Sequence, residues 1–270
     1  MAITDAQLGS ARPGSHLLQF YSADPGQLAR NVGKYFSDGF EIGCTAVLLA
    51  TRAHRDAILA ELKDANWSPD ALQREGLLHV LDAEQTLARI MVAGWPDPQR
   101  FENVIATAVR NAATHDPSED VRAFGELVGL LWTQGQFPAA IRLEQLWNSF
   151  QARERFSLYC AYPVDPFGSD FEAGIIDPLL CAHTHVVTND GSARLQTAID
   201  HAMRDVLDCA GRQRIAEPHG RKAWATLPPA ESAILWLRKN EPEHADDVIA
   251  LARRYYESAT VSDEDRGGRP

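Results

Sequence analysis

The sequence predicts an α/β protein, in which helices on both faces of a mostly parallel sheet form three layers, followed by a helical C-terminal extension. Short, uniformly apolar runs alternate with amphipathic stretches of helical length along the first two thirds of the chain. Strand patterns then disappear beyond residue 190. Strands that alternate with helices are typical of a parallel sheet whose two faces are covered.

The central unit at residues 121–163 carries most of this prediction. Residues 121–132 form a largely apolar run, interrupted by Arg122, Gly125 and Glu126, and are predicted to be a strand. Pro138 then suits the first turn of a helix. One helical stripe is apolar and is expected to face inward: Ala139, Leu143, Leu146, Trp147 and Phe150. The opposite face is polar: Arg142, Glu144, Gln145, Asn148 and Ser149. Residues 156–161 read as a buried strand, so the unit predicts a right-handed crossover between parallel strands.

Further strands are predicted at 16–21, 44–50, 77–82 and 185–188. Helices are predicted between them, including one capped by Thr51, one at 101–114 and one at 170–182.

The predicted domain organisation has four parts. Residues 1–15 are small and polar and are expected to be a flexible tail. The α/β domain occupies 16–190 and ends at the turn signal Asn189-Asp190-Gly191. Residues 191–260 are predicted to be a helix, a linker at 210–223 and a helical hairpin, and 261–270 a disordered tail.

Composition limits the classes of partner. The chain is 45% hydrophobic and carries a net charge of −11, which argues against nonspecific nucleic-acid binding. No apolar run approaches the roughly 18–20 residues that span a bilayer, and the N-terminus lacks the apolar core of a secretory signal. A cytoplasmic protein without membrane partners is therefore expected. Its four cysteines form no CxxC pair and are expected to be buried thiols.

Several ordered motifs resemble those of the MEDS domain, the methanogen/methylotroph DcmR sensory domain. They are HLLQFYSADPGQL, LLATRAHRDAIL, FGELVGLLW, AAIRLEQLWN, FSLYCAYP and CAHTHVV, and together they cover roughly residues 16–190. The resemblance implies a degenerate RecA-like fold and a sensing role in signalling, rather than a defined reaction.

RecA-like ATPases place the phosphate loop GxxxxGK[ST] directly after the first core strand. Here the strand CTAVLLA runs into TRAHRDA, which contains neither glycine nor lysine. Backbone N–H groups therefore cannot close around a triphosphate, and no ATP hydrolysis is expected. No hydrolase motif occurs either, so the chain is expected not to be an enzyme and no catalytic residue is assigned.

A ligand crevice is predicted at the carboxyl ends of the strands, where open α/β sheets bind their ligands. Its candidate residues are His16, Tyr21, His54, Asp82, Glu126 and Tyr162. Glu126 needs a polar partner if it is buried, and His54, Arg122 and Arg142 are the candidates. Three of the six also have a structural alternative: His54 at a core edge, Asp82 as a helix cap and Glu126 as a structural carboxylate.

Cys181, His183 and His185 form the one metal-like pattern. Alternation on a strand would place all three on one face, with a fourth ligand such as Cys160 from elsewhere. Structural histidines at a helix-to-strand junction are the favoured alternative.

The leading hypothesis is a sensory module that binds a small molecule at the strand ends and signals to a partner protein or output element. One alternative is an interaction protein with a vestigial crevice, whose helical C-terminal segment docks on a partner or dimerises. Another is a nucleotide-binding protein with a non-standard loop. The sequence identifies neither the ligand nor a cofactor.

Overall fold

The computed structural model describes residues 2–21, 25–113, 120–188, 191–216 and 224–267. Its strands are β1 Ala2–Ile3, β2 His16–Tyr21, β3 Thr45–Ala50, β4 Leu78–Asp82, β5 Met91–Val92, β6 Trp95–Pro96, β7 Val121–Gly125, β8 Phe156–Pro163 and β9 His185–Val187. Its helices are α1 Pro25–Phe40, α2 Arg52–Asp64, α3 Pro69–Arg74, α4 Ala83–Ile90, α5 Pro98–Phe101, α6 Thr107–Ala113, α7 Leu127–Thr133, α8 Phe137–Gln151, α9 Ala173–Ala182, α10 Ser192–Val206, α11 Cys209–Ala216, α12 Pro229–Asn240 and α13 Pro242–Gly267.

The chain forms two compact units. One comprises Ile3–Pro163 and Pro178–Val187, and the other the described residues of Met1–Ala2, Val164–Asp177 and Thr188–Pro270. The domain boundary predicted after residue 190 falls where residues 189–190 lie outside the described chain, and it stays a prediction.

Within the described part of the chain, seven strands form the main sheet, in the order β1-β9-β2-β8-β7-β3-β4. The β2–β8, β2–β9, β8–β7, β7–β3 and β3–β4 pairs are all parallel. Helices flank this sheet, which confirms the predicted α/β class with its helical C-terminal extension.

The two faces of the sheet carry different side chains, because successive residues of a strand point to opposite sides. One face packs against α1 and α2 in a cluster that includes Leu48, Phe124 and Tyr159. The alternate residues of β8 face the other way, where Phe156 contacts Trp147 and Phe150 of α8. Functional side chains on neighbouring strand positions can therefore belong to separate sites.

The predicted strand at 121–132 is wrong beyond Gly125. β7 ends there, and Leu127–Thr133 forms helix α7. A Cβ atom at Gly129 would lie 2.7 Å from the carbonyl oxygen of Ala161, so α7 crosses β8 at a distance that only glycine allows. Gly135, at φ +69°, then makes the turn into α8.

The N-terminal segment is not a free tail. It contains β1 and a short 3-10 helix, Asp5–Ser10, and it buries Ile3 and Leu8 in the hydrophobic core. These two apolar side chains outweigh the polar composition on which the prediction rested.

The predicted helix at 101–114 is interrupted by a π-helical segment, Glu102–Ala106, between α5 and α6. The extra residue in that turn rotates the buried face, so Ala106 and Val109 are buried while Val104 and Ala108 are half-buried. Before this helix, β6 pairs antiparallel with β5 in a separate two-stranded sheet.

The second unit is helical in the part that the structure describes. α11 occupies the first half of the predicted linker, whose residues 217–223 lie outside the described chain. α13 runs to Gly267, through most of the tail predicted to be disordered, because no glycine or proline interrupts the sequence before that residue.

Four residues of the predicted helical hairpin are buried: Trp236, Leu237, Val248 and Ile249. Tyr255 instead donates a hydrogen bond to Asp205 of α10, at 2.6 Å. Across the described residues, every helix is too short or too polar to cross a membrane.

Candidate functional site

The carboxyl ends of β3 and β7 bring Thr51, His54 and Glu126 together. β3 ends at Ala50 and α2 begins at Arg52, so Thr51 alone connects strand to helix. Leu49 pairs with Gly125, and the N–H of Glu126 donates to the carbonyl oxygen of Leu49 at 3.2 Å. This register places Glu126 beside the first turn of α2.

Glu126 is 2% exposed and uses both carboxylate oxygens. Oε1 accepts a hydrogen bond from the Thr51 N–H, and Oε2 pairs with Nδ1 of His54. Thr51 holds the predicted N-cap position, but its side chain makes no capping bond among the described residues. The backbone N–H of Thr51 instead donates to the buried carboxylate of Glu126, which follows the neighbouring strand β7.

Of the three candidate partners of Glu126, His54 is therefore the one that the structure supplies. Arg122 points to the α1 face, where its guanidinium donates to the carbonyl oxygens of Tyr35 and Gly9. Arg142 donates to Gln145 on the exposed side of α8.

Tyr21, at the end of β2, completes this group. Its ring meets the His54 imidazole edge-on, with centroids 5.6 Å apart. Burial, together with the nearby Glu126 carboxylate, raises the pKa of Tyr21, so its hydroxyl keeps its proton. We call Tyr21, Thr51, His54 and Glu126 the strand-end site.

Asp82 reaches the same edge of the sheet without joining the strand-end site. Its backbone pairs with Ala50, but its Oδ1 accepts a hydrogen bond from the N–H of Gln85, at 2.8 Å. Asp82 is therefore the N-cap of α4, which is the structural alternative predicted for it.

His16 and Tyr162 lie on the other face of the sheet. The hydroxyl of Tyr162 is buried and donates to Oε1 of Glu144 at 2.5 Å. His16, at the start of β2, places its Nε2 3.3 Å from Oε2 of the same carboxylate. The structure therefore does not bring either residue to His54 and Glu126.

Around Glu144 the structure assembles a second polar group: His16, Glu144, Cys160 and His183, which we call the buried histidine cluster. Among the described residues, these four side chains offer ligand atoms that all lie within 4.8 Å of one another, so they could hold a metal ion. Nε2 of His183 is 3.3 Å from Oε1 of Glu144, and Nε2 of His16 is 3.3 Å from the Cys160 sulfur.

Glu144 was missed by the sequence analysis, which placed it on the polar face of its helix. It is completely buried in α8. Ala140, one turn before it, and Trp147, one turn after it, are buried too. An acid at i+4 and i−3 from two apolar residues lies on their face of the helix, and this spacing was the available signal.

Burial controls the charges in this cluster. It raises the pKa of Cys160 and of Tyr162, and the adjacent Glu144 carboxylate adds to both shifts. Burial alone would raise the pKa of Glu144 too, but the imidazoles of His183 and His16 outweigh it and hold that pKa below its ordinary range. Burial and the neighbouring His183 lower the pKa of His16. The cluster therefore surrounds a carboxylate.

The pattern Cys181, His183, His185 does not form a common face. Cys181 is exposed near the end of α9, and the ring of His185 contacts the Thr184 hydroxyl at 2.8 Å. The chain changes from helix to strand within this segment, so the alternation expected of a continuous strand is absent. Of the three, His183 alone enters the buried histidine cluster, together with the predicted distant ligand Cys160.

Comparison with known proteins identifies the family of this chain. No curated protein matches the chain significantly. The family model described as MEthanogen/methylotroph, DcmR Sensory domain (MEDS) matches residues 15–184. That span contains both polar groups and every strand of the main sheet except β1 and β9. The chain belongs to the MEDS family of sensory domains.

Proposed function

We propose that this chain is a cytoplasmic sensory module, not an enzyme, and that it binds a small polar ligand at the strand-end site. The observation that carries the proposal is the pairing of His54 with the buried Glu126. Such a carboxylate holds the imidazole ring of its partner in one orientation and one tautomer, as in many binding and catalytic sites.

The pairing leaves one ring nitrogen for a ligand. Because Nδ1 of His54 faces the carboxylate, Nε2 points away from it and has no hydrogen-bond partner within the described residues. The His54 side chain is 16% exposed, so a ligand can reach it from solvent. Tyr21 adds an aromatic edge and a protonated hydroxyl, which suit a small molecule with one polar group.

The surroundings favour an uncharged ligand over a strongly anionic one. Arg52 and Arg55 stand at the start of α2, but both pair with Asp56. Their charges are thereby partly neutralised, and the buried Glu126 opposes an anion at short range. The single-residue connection between β3 and α2 also provides no loop that could enclose a triphosphate.

Native mass spectrometry of the purified full-length chain tests the ligand site. A small molecule that co-purifies with the wild type is expected to be lost from His54→Ala and Glu126→Gln. Two exposed residues supply matched controls: His244→Ala and Glu84→Gln should retain it. A thermal-shift panel of small alcohols, amides and carboxylates provides the second readout.

If His54→Ala and Glu126→Gln lose stability but respond to every compound as the wild type does, both residues are structural. A wild type that carries no small molecule and responds to none would favour the alternative of an interaction protein with a vestigial crevice.

The signal is proposed to pass to a partner protein or output element through the C-terminal helices. Size-exclusion chromatography with light scattering, applied to the full chain and to a chain ending at Thr188, tests whether these helices also mediate a homodimer. Loss of self-association in the shorter chain supports that role. A monomeric full-length chain rejects the homodimer and leaves a heterologous partner.

A further inference from the structure

The buried histidine cluster has more hydrogen-bond acceptors than its own hydrogens can satisfy. Nδ1 of His183 lies 2.7 Å from the carbonyl oxygen of Leu179, which can only accept, so this nitrogen carries the hydrogen. The other ring nitrogen, Nε2, is therefore a lone-pair acceptor in the neutral ring. It has no hydrogen-bond partner among the described residues, although it lies 3.3 Å from a Glu144 oxygen.

His16 is oriented in the same way. The amide nitrogen of Asn148 donates to the carbonyl oxygen of Ala182 at 3.0 Å, which turns Oδ1 of Asn148 toward His16. Nδ1 of His16 donates to that oxygen at 2.9 Å. Its Nε2 lone pair consequently faces Cys160 and Glu144. Such outer-shell acceptors are the usual device that fixes a metal-binding histidine.

Two imidazole lone pairs and a carboxylate thus converge in a space closed to water. Tyr162 donates to one carboxylate oxygen, and the Cys160 thiol has a single hydrogen to share between His16 and Glu144. Protonating both rings would satisfy the acceptors but would bury a net positive charge. One divalent cation would satisfy all of them at once.

We propose that His16, Glu144, Cys160 and His183 bind a zinc ion. Bonds of about 2.0–2.3 Å in a tetrahedral zinc site set neighbouring ligand atoms roughly 3.3–3.8 Å apart. Nε2 of His16 is 3.3 Å from both the Cys160 sulfur and Oε2 of Glu144, which are 3.8 Å from each other, whereas Nε2 of His183 is 3.3 Å from the other carboxylate oxygen, Oε1. The four ligand atoms all lie within 4.8 Å of one another, so a rotation of the Glu144 carboxylate that presents one oxygen to both rings would close the site around the ion.

Charge and ligand chemistry favour zinc over magnesium or calcium. Sulfur and imidazole ligands select metals of the zinc class, whereas magnesium and calcium prefer oxygen. On binding, the Cys160 S–H bond breaks and its proton leaves for solvent, so the thiolate and the Glu144 carboxylate balance the two charges of Zn²⁺. Four protein ligands leave no open position, which fits a structural or metal-responsive site and not a catalytic one.

Cobalt substitution in the full-length chain tests this site. The protein is stripped with a chelator and titrated with Co²⁺ alone. Wild type is expected to bind one ion per chain and to show the charge-transfer absorption of a cobalt–thiolate bond, and Zn²⁺ should displace the Co²⁺. Metal analysis of untreated protein should find zinc at the same stoichiometry.

Variants separate the buried cluster from adventitious binding. Cys160→Ala should lose the thiolate absorption, and His183→Gln should bind Co²⁺ at least tenfold more weakly. Their matched controls, Cys181→Ser and His185→Gln, should bind as the wild type does. Asn148→Ala, which removes an outer-shell acceptor, should retain the absorption but weaken binding about 10–100-fold.

Circular dichroism checks that each variant folds. If Cys160→Ala does not fold, Co²⁺ binding by the wild type still decides the question. Wild type that takes up no stoichiometric Co²⁺ overturns the proposal. So does binding that is abolished by Cys181→Ser or His185→Gln, because the ion would then sit at the surface. The proposal is independent of the strand-end site, whose test uses different residues and a different readout.

Discussion

His16 and His183 lie with their ring centroids 4.0 Å apart, and each turns Nε2 toward the Glu144 carboxylate. The two residues are 167 positions apart in the sequence and mark the two ends of the segment that matches the family model. Glu144, in α8, therefore contacts both the first residue of β2 and the residue that follows α9. Any loss of this carboxylate should loosen both ends of the domain together.

Tyr162 is expected to contribute to stability and not to ligand binding. Its hydroxyl donates to the buried Glu144 carboxylate, and hydrogen bonds to charged groups are worth about 1.5–3 kcal/mol. Tyr162→Phe should lower the free energy of unfolding by about that amount in urea denaturation. The thermal shift given by any ligand of the strand-end site should stay at its wild-type value, and a selective loss of that shift would return Tyr162 to the ligand site.

Tyr21→Phe is the complementary change. The hydroxyl of Tyr21 has no hydrogen-bond partner within the described residues, so its removal should change the free energy of unfolding by less than about 0.5 kcal/mol. A ligand that hydrogen-bonds this hydroxyl should bind about tenfold more weakly to the variant, which corresponds to roughly 1.4 kcal/mol. Calorimetry with the compound identified by mass spectrometry measures the difference. An unchanged affinity would remove the hydroxyl from the site.

ATP hydrolysis is expected to be absent. α2 begins one residue after β3, so no phosphate-binding loop separates them, and both oxygens of Glu126 are occupied by Thr51 and His54. Phosphate release in the presence of Mg²⁺ should equal the background for wild type and Glu126→Gln alike. Release by wild type that Glu126→Gln abolishes would contradict this prediction and would make Glu126 catalytic.

The periodicity of the sequence predicted the parallel sheet and most helices, because apolar runs and helical stripes report directly which faces are buried. It also gave His54 as one of three candidate partners of Glu126, because His54 follows a strand that ends at the edge where the crevice was predicted. It did not predict Glu144, nor that His16 and His183, which it had assigned to separate sites, would both contact this carboxylate. These residues meet only through tertiary packing, and a carboxylate beside Arg142 and Gln145 has the local pattern of a solvated helix face. Likewise, β7 and α7 could not be separated, because Leu127–Thr133 is apolar enough for either.

Gly129→Ala should destabilise the protein although alanine is the better helix former. In an open helix the change is worth about 1 kcal/mol in favour of alanine. Here the new Cβ would lie 2.7 Å from the Ala161 carbonyl oxygen and 3.2 Å from Pro163, so α7 must move away from β8. We expect a net loss of about 1–3 kcal/mol in urea denaturation. Gly174→Ala, whose nearest neighbour would be 3.9 Å away, is the control and should be neutral or stabilising.

Glu231 should make the C-terminal helical unit less stable as pH rises. This residue of α12 is 6% exposed, and its Oε2 has no hydrogen-bond partner among the described residues. Burial raises its pKa to about 7 from an ordinary 4.5, against an opposing hydrogen bond from its own backbone N–H. Below pH 4.5 the carboxyl is protonated in both the folded and the unfolded state and costs nothing.

Between pH 4.5 and 7 the unfolded chain releases this proton first, so stability falls as pH rises, and above pH 7 the loss is complete. It amounts to about 3 kcal/mol at most. Glu231→Gln should remove this contribution, so the variant should gain on wild type progressively from pH 4.5 to 7.5 in urea denaturation followed by circular dichroism. Glu84→Gln, an exposed acid of α4, should show no such gain. A constant difference between wild type and Glu231→Gln across that range would mean that the carboxyl is already ionised in the folded protein.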